Sequence, residues 1–313
     1  MGGSGGGSWN PLDRYKPDEL KQKLRAIEDA THDTGFETQV AEHLGGLLAD
    51  ANQRDATLGQ ERLDGALQVL GRHHEGDFST IFGGSVAKRT YVEGLSDVDA
   101  LLPLDGTGLE SVSPQEALAR LEATLKNGLA GKAEVSKGRL AITVRYPDGM
   151  EIQLLPAQRT ATGVRVPAWR GDRWSEIEPE GFRKALTQTN QDCSGKLIPV
   201  IKLAKTINAT LPESFQLSGY HLEAIGVAAF RGYPGAQLHA PMLVHYFERA
   251  REIVKSPIRD RTGQSIHVDD DLGPEGSQER QQTAHVLDRV YRRLRNALGA
   301  QSLEQWMDIF IPR

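Results

Sequence analysis

The sequence predicts a two-lobed α+β fold. Three observations carry it: apolar residues at helical spacing up to about residue 73, strand-like apolar runs between 97 and 157, and a return to helical spacing from about 175 onward. The chain has 313 residues, enough for two medium domains. The expected division is a linker at 1–8, a core with N-terminal helices at 9–174, and a helical lobe at 175–313. A cleft between two lobes is a common place for a ligand.

The opening "MGGSGGGS" reads as flexible linker with no part in the fold. Residues 17 to 52 then read as helical, in "KPDELKQKLRAIEDA" and "TGFETQVAEHLGGLLADA". Thr34 is placed as cap of the second, with Glu37 three residues later. Another helix covers roughly 57 to 73. "FGGSVAKRTYVEGLSDVDALLPL" (82–104) reads as a glycine turn, a short helix and a strand at about 97 to 103. "SPQEALARLEATLKNGL" is an amphipathic helix, capped by Ser113 and ending near Gly128. "RLAITVRY" and "MEIQLLPA" read as two strands joined by the turn Pro147-Asp148-Gly149. The later helices are "GKLIPVIKLAKTINATL", "SGYHLEAIGVAAFRG", "APMLVHYFERAREIV" and "SQERQQTAHVLDRVYRRLRNAL".

Composition excludes several classes. The formal net charge of -5 gives no global basic field to recruit nucleic acid. A single cysteine, Cys193, rules out a disulfide framework or a cysteine zinc ribbon and fits a reducing cytoplasm. No apolar run is long enough to span a membrane, and no membrane partner is expected.

The chemistry concentrates at Asp97-Val98-Asp99, which runs straight into the apolar Ala100-Leu101-Leu102. Strand periodicity sends both carboxylates to one face, roughly 6–7 Å apart. Like charges so placed repel unless a cation lies between them, and magnesium, with its preference for hard oxygen ligands, suits the pair. Upstream, Gly83-Gly84-Ser85 can bring backbone amides and a hydroxyl against phosphate oxygens. A third acid is sought on a neighbouring strand, where Glu151 and Gln153 share one face of "MEIQLLPA". By contrast, Asp269-Asp270-Asp271 lies among Gly and Pro and reads as solvated loop.

Gly84-Ser85, then Asp97-X-Asp99, then a strand ending Leu155-Pro156-Ala157, resembles the nucleotidyltransferase superfamily. Within it the chain is similar to the enzymes related to cyclic GMP-AMP synthase and oligoadenylate synthase. In length and layout it looks like the bacterial members, the CD-NTases of CBASS anti-phage systems. The resemblance covers about residues 80 to 230. It implies a polymerase-beta-like fold, with a small mixed sheet in the N-terminal lobe, a helical C-terminal lobe and the active site in the cleft. It also implies synthesis of a cyclic di- or trinucleotide from NTPs, ATP foremost and GTP or others besides, with magnesium or manganese. Asp97, Asp99 and Glu151 would be the metal ligands, with Gln153 beside them. Gly84, Ser85, Lys202 and Lys205 would hold phosphates, Ser218 of "LSGYHLEAI" would reach phosphate, and Tyr220 would stack on a base. "RTATGVRVPAWRGDRWSEIEP" resembles the loop that follows the catalytic strand.

One departure stands out. In the oligoadenylate synthases the third acid lies three residues before the Pro of Leu-Pro-Ala, and here that position is Gln153. Glu151 can take the role, Gln153 can serve through its amide oxygen, or the enzyme is impaired; the first is the reading preferred. Two alternatives follow: a nucleotidyltransferase acting on a protein, RNA or small molecule, and a nucleotide-binding pseudoenzyme. CBASS regulatory or effector proteins are the implied partners. Nucleic-acid activation is left open: the zinc-element cysteines are missing, and Arg289, Arg292, Arg293 and Arg295 read as a solvated helix face.

Overall fold

The computed structural model describes residues 34–50, 56–74, 78, 81–82, 98–161, 163–168, 173–177, 179–258, 269 and 272–311, with backbone alone at a few of them, Asp99 included. The helix expected within 16–30, the glycine turn and short helix before β2, and Asp97 lie outside the described residues.

Two helices come first, α1 (Thr34–Asp50) and α2 (Ala56–His73). Thr34 is itself the first helical residue instead of the cap before the helix. A mixed sheet follows in the order β1-β2-β5-β4-β3. Its strands are β1 (Ile81–Phe82), β2 (Val98–Pro103), β3 (Glu134–Lys137), β4 (Ile142–Arg145) and β5 (Glu151–Arg159). Only β2 and β5 run parallel, because α3 (Pro114–Gly128), β3 and β4 intervene between them and carry the chain back. β6 (Val164–Pro167) pairs with the far end of β5, and β7 (Trp174–Ile177) with β6. The stretch read as a loop after the catalytic strand is therefore largely a hairpin.

Ser113 caps α3 as expected: its hydroxyl accepts from the Glu116 amide at 3.3 Å, and Pro114 opens the helix where a missing N–H costs nothing. Gly128 closes it. A Cβ there would lie 2.2 Å from Val69 Cγ1, so glycine is what lets α2 and α3 touch. The turn between β4 and β5 also forms as read. Gly149 sits at φ 88° and donates to the Tyr146 carbonyl, while Asp148 accepts from the Met150 amide and takes both guanidinium nitrogens of Arg62 at 2.7 and 2.8 Å.

Strand alternation divides the sheet's side chains. Ala100, Leu102, Ile142, Val144, Ile152 and Leu154 enter a core with the leucines of α2 and α3. Leu101 and Leu155 go to the other face, with Ala157, Val164 and Val166. A fully buried Leu contributes about 1.5–3 kcal/mol, so a one-residue slip of β2 or β5 is strongly disfavoured.

The remaining helices are α4 (Pro179–Asp192), α5 (Leu197–Ala209), α6 (Gly219–Ala229), α7 (His239–Ile253), α8 (Gln278–Gly299) and α9 (Leu303–Ile309). They share one core around Phe230, Tyr246, Phe247 and Trp306. Phe36, Val40 and Leu44 of α1 belong to that core too. Helix 34–50 thus packs with the helices that follow the sheet.

The reading of Asp269 as solvated is overturned. It is 2% exposed and ion-paired at 2.7 Å with Arg280, itself 1% exposed. Its carboxylate also accepts from the Ile258 amide at 3.0 Å. Arg280 donates further to the carbonyls of Val254, Ser256, Asp269 and Gly273, and this set of partners makes a buried guanidinium tolerable.

Candidate active site

The parallel register of β2 on β5 sets Asp99 opposite Gln153 and Val98 opposite Ile152. On its other side Gln153 faces Thr143 of β4, and Glu151 faces Arg145. Ile152 and Leu154 are buried in the core, so half-buried Glu151 and Gln153 share the opposite face, as alternation predicts. The two differ in company. Glu151 is hydrogen-bonded and ion-paired to the Arg145 side chain across the strand pair, whereas Gln153 is the residue level with Asp99. Pro156 follows in the gap where β4 has ended and β6 has not begun, a position in a strand that tolerates a missing N–H. Gly84, Ser85 and Asp97 lie outside the described residues.

The expected phosphate and base residues come from α5 and the start of α6. Lys202 is half-buried, and burial first, then the charge of Lys205, lowers its ammonium pKa. Lys205 is 4% exposed and paired at 3.0 Å with Glu223 of α6, itself 1% exposed. Asn208, one further turn along α5, grips Leu217 at both ends: its side chain donates to the carbonyl at 3.0 Å and accepts from the amide at 2.9 Å. That fixes the entry to α6. Ser218 caps the helix by accepting from the His221 amide at 3.2 Å, and it is exposed. Tyr220 is half-buried, its ring 4.6 Å from that of Phe182 in a tilted pair.

The structure therefore assembles two groups, Asp99 with Gln153 on the sheet, and Lys202, Lys205, Ser218 and Tyr220 at the α5–α6 junction. Glu223, Asn208 and Phe182 are the partners sequence reading missed. A signal for Glu223 was present: a single acid inside "HLEAIGVAA" needs a buried counter-charge.

Neither a family model nor a curated protein matches this chain. Solved structures do. The CD-NTase CdnG of Bradyrhizobium diazoefficiens, in complex with GTP, superimposes with a TM-score of 0.63 at 17% identity, over 88% of this chain and 95% of that one. The chain has the CD-NTase fold. The same fold is found in CdnC of E. coli MS115-1, in a complex with HORMA-deltaN, at TM-score 0.58, 14% identity and coverage of 89% and 96%. It is found again in the cyclic AMP-GMP synthase DncV of Vibrio cholerae, at 0.56, 13% identity and coverage of 90% and 86%. Among the described residues no helix is long and apolar enough to cross a membrane.

Proposed function

We propose that the chain is a nucleotidyltransferase that joins and cyclises NTPs into a di- or trinucleotide second messenger. The observation that carries this reading is the β2–β5 register, which sets Asp99 level with Gln153 within the CD-NTase fold.

The donor set suits magnesium, or manganese in its place: the carboxylates of Asp97-Val98-Asp99 and the amide oxygen of Gln153, level with Asp99 in the sheet, are all hard oxygen ligands. Asp97, Asp99 and Gln153 would hold it. Glu151, the third ligand preferred from sequence, has Arg145 as its partner instead. Such a metal, when bound, neutralises charge on the triphosphate and on the leaving pyrophosphate. Gly84, Ser85, Lys202, Lys205 and Ser218 orient the triphosphate, and Tyr220, stiffened by Phe182, packs against a base. ATP is the first substrate to try; GTP is the ligand in the CdnG structure.

Gln153 also supports a second reading, a pseudoenzyme that binds nucleotide without turnover. Incubation with each labelled NTP and magnesium, followed by mass spectrometry of the products, separates the readings. Small cyclic products that vanish in the double variant Asp97→Asn, Asp99→Asn carry the proposal. A labelled protein or RNA points to macromolecule modification. Magnesium-dependent NTP binding with no pyrophosphate released points to the pseudoenzyme. A role in bacterial anti-phage signalling, with a regulatory partner of the HORMA kind seen with CdnC, extends the same reading.

A further inference from the structure

Lys205 and Glu223 form a charged pair that is almost completely buried, between α5 and the second turn of α6. Burying two charges is expensive, and apolar residues of the same volume would serve helix packing as well or better. The pair also has a particular address. A Cβ built on Gly219, the exposed first residue of α6, would sit 3.3 Å from Lys205 Nζ and 3.6 Å from its Cε. The ammonium thus lies directly beneath the helix start, one residue after exposed Ser218, and glycine leaves the space above it open.

We propose that Glu223 is a positioning residue for the nucleotide site, holding the Lys205 ammonium charged and fixed beneath Gly219, where a phosphate bound by Ser218 meets it. The inference rests on the nucleotide-binding reading above. Carboxylate, ammonium and phosphate then form a row in which the cation lies between two anions. Without the carboxylate, the buried ammonium would lose its counter-charge and release its proton more readily. Among the described residues, Lys202 and Tyr246 are ionisable groups that act on the pair. Lys202, on α5, adds positive charge beside Lys205. Tyr246, from α7, is kept protonated by burial and by Glu223, and donates to the Leu222 carbonyl at 2.7 Å.

The test is ATP affinity as a function of pH, measured with a fluorescent ATP analogue and ATP as competitor. In Glu223→Gln the alkaline loss of affinity should move toward neutral pH, leaving binding about tenfold weaker than wild type near pH 8.5 and close to it near pH 6.5. Glu223→Asp should restore most of the wild-type profile. A folded Glu223→Gln protein with the wild-type pH profile overturns the role of Glu223. Should that variant not fold, the double variant Lys205→Met, Glu223→Gln removes both charges at once and keeps the volume. It should bind ATP about tenfold or more weakly at every pH; binding equal to wild type overturns the proposal. A wild-type protein that binds no ATP with magnesium overturns the nucleotide reading itself, a result distinct from both.

Discussion

Gln153 stands level with Asp99 and is the residue on which metal affinity should turn. Replacing its neutral amide by a carboxylate adds a charged oxygen ligand, so Gln153→Asp should bind Mn2+ about tenfold more tightly or more, as read by calorimetry with a non-hydrolysable ATP analogue. Glu151→Gln should leave Mn2+ affinity within about twofold, because Arg145 already holds that carboxylate. Lys202 carries a different prediction. Its ammonium gives up a proton at lower pH than an ordinary lysine, first through burial and then through Lys205. ATP binding should therefore decline on the alkaline side as that charge is lost. Lys202→Arg, charged at every accessible pH, should push the decline upward in the same titration.

The α5–α6 junction is a single mechanical element. Asn208 clamps Leu217, and Ser218 caps the helix one residue later. Asn208→Ala leaves a buried amide and carbonyl without their partners and should cost roughly 1–3 kcal/mol in thermal unfolding, with weaker ATP binding as well. Ser218→Ala should cost about 1 kcal/mol. Much of this element was legible in the sequence. "IPVIKLAKTINA" and "SGYHLEAIGVAA" have helical spacing, and Ser218 precedes an apolar run as caps do. Equally legible were α3, with Ser113 before it and Gly128 at its end, and the β4–β5 hairpin around Gly149. What local pattern does not encode is pairing between distant residues. Lys205 read as one of two lysines on a helix face, and its burial depends on Glu223, eighteen positions away. β3, β6 and β7 are, like β4, four residues long; they were missed because so short a run carries little periodicity without a longer strand-like stretch such as "RLAITVRY" around it, and their strand state comes from the neighbour they join. The choice between the two candidate third ligands was open in the sequence for a related reason. Glu151 and Gln153 look alike by alternation, and only the register on β2 and β4 tells them apart.

At the scale of the whole molecule, acid stability should hinge on His221. It is 1% exposed, its Nε2 has no hydrogen-bond partner among the described residues, and burial brings its pKa down to about 4, with Asp269 opposing the effect and Arg280 adding to it. The unfolded chain binds this proton near pH 6.5, so stability contributed by the neutral ring is full above that value and drains away as pH falls toward 4. The loss should reach roughly 3 kcal/mol, and His221→Gln should flatten that slope in urea unfolding between pH 4 and 7.

Arg280 bonds to Val254 and Ser256 on one side and to Asp269 on the other, while Asp269 reaches back to Ile258. The two ends of the intervening stretch are thus stapled together independently of the peptide chain that joins them. A protease site inserted there and cut should yield two fragments that elute as one particle and separate only in denaturant. The same position would accept a tag or a reporter domain without pulling the helical lobe apart.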